Sequence, residues 1–193
     1  MAPILPVLGF ADSASFAAWI AAQPEAPGLW LKLAKKGTNV ASLAKHEAID
    51  AALCWGWIDG QLQRHDDQYF LIRFTPRRAA SKWSEVNRSR AEALIAEGRM
   101  TPRGLAEIAR ARADGRWAAA YAPQSRAEVP DDLAAALAAA PAAAAVFAGL
   151  DRQNRYAVLY RIHTTKTPEA RAHKIARLVD DLARGVLPYP KNN

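Results

Sequence analysis

Residues 57–74 read WIDGQLQRHDDQYFLIRF. Trp57 to Arg64 and Gln68 to Phe74 both carry an extended pattern, and the polar His65-Asp66-Asp67 between them reads as the tip of a β-hairpin. Phe70, Ile72 and Phe74 fall two apart, which places them on one face of the second strand. Upstream, Gly28 to Lys36 alternates in the same way. Leu29, Leu31 and Leu33 lie on one side, with Trp30, Lys32 and Ala34 on the other. That is a strand with one face in a core. Pro76 ends the last of these runs, so the expected strands all precede it and none is expected beyond Pro130.

Outside this hairpin the pattern is helical. Asp12 or Ser13 can cap a short helix through Phe16, Trp19 and Ile20, ended at Gln23-Pro24. Ser42 can cap a second that closes at Gly56. Ser81 or Ser84 opens a third that stops at Gly98. Thr101-Pro102 starts a fourth, with threonine as N-cap and proline at the first helical position, ending at Asp114-Gly115. Composition shifts at Pro123–Pro130, and everything beyond Asp131 reads as helix: Leu133–Ala140, Ala142–Gly149, Arg152–Ile162, and a last helix opened by Thr167-Pro168-Glu169. In that last helix Ile175, Leu178, Val179 and Leu182 form an amphipathic stripe. The expectation is an α+β protein: a small antiparallel sheet with flanking helices over residues 1–125, then a helical module over 126–193 packed on it.

Composition sets limits on function. Of the 193 residues 44 are Ala, so the larger apolar residues needed for a core are few and the helices should meet through small faces. The single cysteine, Cys54, excludes an intramolecular disulfide and multi-cysteine metal sites, and it reads as a buried small hydrophobe. No run is long and apolar enough for a membrane span. The opening MAPILPVLGFADS has neither a basic start nor a long apolar stretch, so no secretory signal and a cytoplasmic location are expected. The formal net charge is +7, divided unevenly: residues 1–72 hold 5 basic and 7 acidic side chains, residues 73–193 hold 21 and 12. A basic half favours acidic partners, whether an acidic protein, a phosphate-bearing ligand or nucleic acid, or it is a solvated surface. No zinc finger, RNP motif or basic zipper accompanies it.

Several stretches then line up with a known family: CWGWIDG (54–60), FTPRRAASKWSEVN (74–87), EGRMTPRGL (97–105), VPDDLAAAL (129–137) and NRYAVLYRIHTTKTPEARAHKIARLVDDLARG (154–185). Together they resemble the YdeI/OmpD-associated family, also described as bacteriocin-protection proteins, over about residues 10–187. Where the family usually has an alanine-lysine pair before the last helix, this chain has Thr164-Thr165-Lys166, of which Lys166 aligns. The resemblance implies a small bacterial protein tied to stress or bacteriocin resistance, and implies no reaction.

Candidate chemistry concentrates after the hairpin. Arg77, Arg78 and Lys82 bring three cations, and Ser81 and Ser84 two hydroxyls, to the start of an expected helix, an arrangement suited to a phosphate, a sulfate or a partner's carboxylate. Alternatively a serine caps the helix and the arginines pair with Glu85 and other acids. Asp59, between Trp57 and Gly60, is a candidate acid, base or anchor for Arg77 or Arg78, or an ordinary turn residue. Trp55, Trp57, Trp83 and Asn87 stand nearby as lining of a pocket or as core. The four histidines have no metal-ligand spacing, and there is no Gly-x-Gly-x-x-Gly, P-loop or Gly-x-Ser-x-Gly, so no cofactor is expected. Arg171, Lys174 and Arg177 lie three apart and drift around the last helix, which favours Arg171 as partner of an acid on the main domain. The leading expectation is a cytoplasmic, non-enzymatic binding or stress-protection protein with an anion-binding surface. A nucleic-acid or phosphate-ligand binder comes second and an enzyme using Asp59 third.

Overall fold

The computed structural model describes residues 4–190, and the chain divides between Ala120 and Tyr121 into two compact units. The outermost residues of both expected domains, 1–3 and 191–193, lie outside the described residues. Helix outweighs strand, 49% against 14%, and among the described residues the strands all lie in the first unit, the distribution of an α+β protein.

The first unit is built on a four-stranded sheet: β1 (Val7–Leu8), β2 (Leu29–Ala34), β3 (Trp57–Arg64) and β4 (Tyr69–Pro76), in the order β1-β2-β4-β3. β4 runs antiparallel to both neighbours. The sheet is not purely antiparallel, as the sequence led us to expect, because β1 lies parallel to β2, pairing Val7 with Trp30 and Leu8 with Leu31. The physical reason is the connection: α1 (Ser13–Ala22) carries the chain back across the sheet, as a parallel pair requires. A two-residue strand has too short a pattern to be read from its sequence.

Alternation along the strands decides the core. Leu29, Leu31 and Leu33 stand opposite Phe74, Ile72 and Phe70, and this face packs on Phe16 and Ile20 of α1 and on Ala48, Ala51 and Ala52 of α2 (Lys45–Cys54). The alanines let α2 approach the sheet closely. Asp12 caps α1, its side chain accepting from the Ser15 N–H at 2.8 Å. Ser42 does not cap α2. Its hydroxyl accepts from the Ala34 N–H at 3.1 Å and so closes the end of β2, while the Glu47 side chain accepts from the Ala44 N–H at the helix start. At the hairpin tip Asp66 accepts from the backbone of Gln68 and Tyr69, which orders the turn.

A second cluster joins the end of α2 to α3 (Glu85–Ala96) and α4 (Pro102–Ala113), through Leu53, Cys54, Trp83, Leu94, Ile108 and Trp117. Thr101 ties these helices together. Its hydroxyl donates to the Cys54 carbonyl at 2.6 Å and accepts from the Gly104 N–H. A Cβ on Gly104 would overlap that same carbonyl, so only glycine permits the approach. Thr101→Ala should therefore lower the unfolding free energy by about 1–2 kcal/mol. Thr101→Ser should recover most of it in urea titration, since serine keeps the hydroxyl.

The second unit is helical: a short 3-10 turn at Gln124–Arg126, then α5 (Asp131–Ala138), α6 (Pro141–Ala148), α7 (Arg152–His163) and α8 (Pro168–Ala183). Its core is made by Leu133 and Leu137 of α5, Phe147 of α6, Val158 and Ile162 of α7, and Ile175, Leu178 and Leu182 of α8, with Val179 half-buried at its edge. Thr167 caps α8 and Pro168 occupies its first turn, as read from the sequence. Among the described residues no helix is long and apolar enough to cross a membrane.

Candidate functional site

The chain leaves β4 at Thr75-Pro76 and is pinned at once: the Arg77 N–H donates to the Gly56 carbonyl at 2.9 Å. Gly56 has φ +72°, and a Cβ there would press on Glu107, so this corner between α2 and β3 requires glycine. The Arg77 side chain turns inward and is only 5% exposed. Its guanidinium lies over the Trp83 ring, 3.5 Å from carbon to centroid, and Nη1 donates to the Lys82 carbonyl at 3.2 Å. Trp83 meets Trp117 edge-on at 4.7 Å, and Arg112 lies over Trp117 in turn.

The neighbours of Arg77 go elsewhere. Arg78 and Lys82 are exposed. Ser81 is not the helix cap. Its hydroxyl accepts from the Arg78 N–H at 2.9 Å to close a turn, and its carbonyl takes a bond from Arg116. Ser84 is the cap of α3, accepting from the Asn87 N–H at 3.1 Å, and Glu85 already places an acid in the first turn. Two exposed cations thus stand beside a capped helix, while the third is stacked in the core.

Asp59 lies on β3 opposite Phe74, where a β-bulge begins. It is half-buried, and its carboxylate forms no hydrogen bond or ion pair among the described residues, so the anchor to Arg77 or Arg78 is not made. Trp57 is fully buried and meets Trp19 edge-on at 6.1 Å; Trp83 is core; Trp55 packs half-buried against both clusters. Asn87 serves the cap through its backbone. Cys54 is buried, and that burial pushes its thiol up from the ordinary range. Among the described residues no group of three or more His, Cys, Asp or Glu could hold a metal ion.

The helical unit has a concave site that the sequence reading did not single out. Tyr121, Tyr156 and Tyr160 line a small cleft of about 110 Å³ together with Glu128, His163 and Arg171. The Tyr156 hydroxyl donates to the Ala122 carbonyl at 3.1 Å, fixing the ring. Burial raises the phenols of Tyr156 and Tyr160 above their ordinary range, so both stay neutral. Arg171 is held by an acid of its own unit rather than of the main domain: Nε and Nη2 reach the two oxygens of Asp132 at 2.5 and 2.9 Å, and Nη1 donates to the Ile162 carbonyl. The hydrogen bond from that guanidinium keeps Asp132 below the usual carboxylate range. Tyr156 and Tyr160 lie four apart on α7, the spacing that puts two rings on one helix face. That was the available signal. Tyr121 lies far away in sequence and could not be joined to them.

The fold is that of a two-unit α+β protein with a concave cleft in its helical unit. Residues 8–107 match a family described as a domain of unknown function, DUF8412, and residues 126–185 match the family described as bacteriocin-protection, YdeI or OmpD-associated. The first match covers more than half of the chain, which belongs to the DUF8412 family and carries the YdeI/OmpD-associated region in its helical unit. The likeness read from the sequence thus holds over 126–185, while the first unit has a family description of its own. No curated protein and no solved structure matches the chain.

Proposed function

We propose that this chain is a non-enzymatic, cytoplasmic binding protein serving bacteriocin or stress protection, and that the tyrosine cleft of the helical unit holds its ligand. The observation that carries this reading is position. The α7 tyrosines, Glu128 and Arg171 all fall inside the stretch that matches the bacteriocin-protection family, and they converge on one cleft. Its mix of aromatic walls with a few polar groups suits a small bound group.

The test is survival. A sensitive bacterium expressing the chain should withstand a purified bacteriocin better than one carrying an empty vector. The Tyr156→Ala, Tyr160→Ala double variant, at matched soluble level, should lose most of that gain. Equal protection by the variant would remove the cleft from the function, and no gain with the wild type would remove the protective role.

A second reading has its own support. Arg78 and Lys82 are both exposed ahead of α3, and residues 73–193 hold most of the basic side chains. Such cations suit a phosphate-bearing ligand or nucleic acid, whose binding would weaken steeply with salt.

A further inference from the structure

The walls of the cleft are arranged as a corner. Tyr121 and Tyr160 stand at 88° with centroids 4.9 Å apart, and Tyr156 adds a third ring 6.0 Å from Tyr160. The same three rings also line the adjoining depression, to which Gln124, Gln153 and Tyr189 add no charged group. Ring faces carry partial negative charge, so a corner of tyrosines attracts a cation.

The local charges are mixed: His163 and Arg171 line the cleft beside Glu128, and Arg152 and Arg155 line the neighbouring depression that shares Tyr156. Arg171 is spent on both oxygens of Asp132, and that pair is neutral as a unit. Glu128 is exposed on the wall of the cleft, and its carboxylate forms no hydrogen bond or ion pair among the described residues. A primary ammonium entering an aromatic corner would lose several hydrogen bonds to water, which the single Glu128 carboxylate replaces only in part. A quaternary ammonium donates no hydrogen bonds, is weakly hydrated, and loses far less.

From this we infer that the cleft is a site for a quaternary ammonium group, held against the faces of Tyr121, Tyr156 and Tyr160 with Glu128 as counter-charge. The inference rests on the reading of the cleft as the ligand site and names the chemistry of that ligand.

The experiment is a titration of the full chain, followed by the amide shifts of residues 121–171, at about pH 8, where an ordinary imidazole is neutral. The probes are choline, its neutral isostere 3,3-dimethylbutan-1-ol, and inorganic phosphate. Choline should bind at least about tenfold more tightly than the isostere, the scale of a partly desolvated cation–π contact. Tyr160→Leu should abolish the difference and Tyr160→Phe should keep it. Glu128→Gln, an exposed change that leaves folding intact, should weaken choline about threefold or more. Equal binding of choline and the isostere would overturn the inference while leaving the cleft a ligand site. Phosphate binding in place of choline would overturn it in the same way. Choline affinity unchanged by Glu128→Gln would overturn the counter-charge. If no probe binds, the inference fails, and the survival test alone then decides the reading beneath it.

Discussion

Replacing Trp83 by alanine should cost about 3–5 kcal/mol of unfolding free energy, the upper range for removing a large aromatic from a core. Trp83 is 2% exposed and is sandwiched between the Arg77 guanidinium and the edge of Trp117. Truncation leaves a cavity and takes the ring away from a buried cation at the same time. All six tryptophans lie before residue 121, so tryptophan emission during denaturant unfolding reads this unit. Trp83→Phe should recover much of the loss, because a smaller ring can still face Arg77. A cost below about 1 kcal/mol for Trp83→Ala would mean that the stack contributes little to stability.

Leu178→Ala should cost about 2–5 kcal/mol in the helical unit. Leu178 is 5% exposed and packs in a core drawn from all four helices of that unit. A unit of this size has a small margin, so such a loss should leave it substantially unfolded near physiological temperature. The readout is the far-UV circular dichroism transition, which should fall in midpoint without a change in denaturant slope. A change under about half a kcal/mol would mean that α8 contributes little to the core. The cleft gives the same variant a functional consequence, because Arg171 projects from α8 to the Asp132 pair.

Period and punctuation made most of the fold legible. Two-residue alternation from Leu29 to Ala34 and from Tyr69 to Phe74 named both the strands and their buried faces, because side chains on a pleated strand must alternate. Thr101-Pro102 and Thr167-Pro168 marked helix starts because a threonine oxygen there satisfies a free N–H and proline has none to leave unsatisfied. The stripe from Ile175 to Leu182 gave the inward face of α8. The assignments that missed or stayed open turned on which of two backbone partners a serine hydroxyl took. Ser42 was equally able to cap a helix or close a strand, and the Ala34 N–H decided between them. Ser81 and Ser84 were equivalent as caps until the chain turned at Arg78.

The candidate site divides in the same way. The sequence by itself determined that Arg77, Arg78 and Lys82 lie within one short stretch and that two tyrosines share a face of α7, since both follow from local spacing. The tertiary structure alone decided that Arg77 faces Trp83 and Trp117 while Arg78 faces solvent, because burial depends on what packs from α3 and α4. It alone brought Tyr121 against Tyr160 and Asp132 against Arg171, residues separated by some forty positions and joined only when α5, α7 and α8 close on a common core. Such contacts arise from long-range packing, which leaves no periodic trace in the chain.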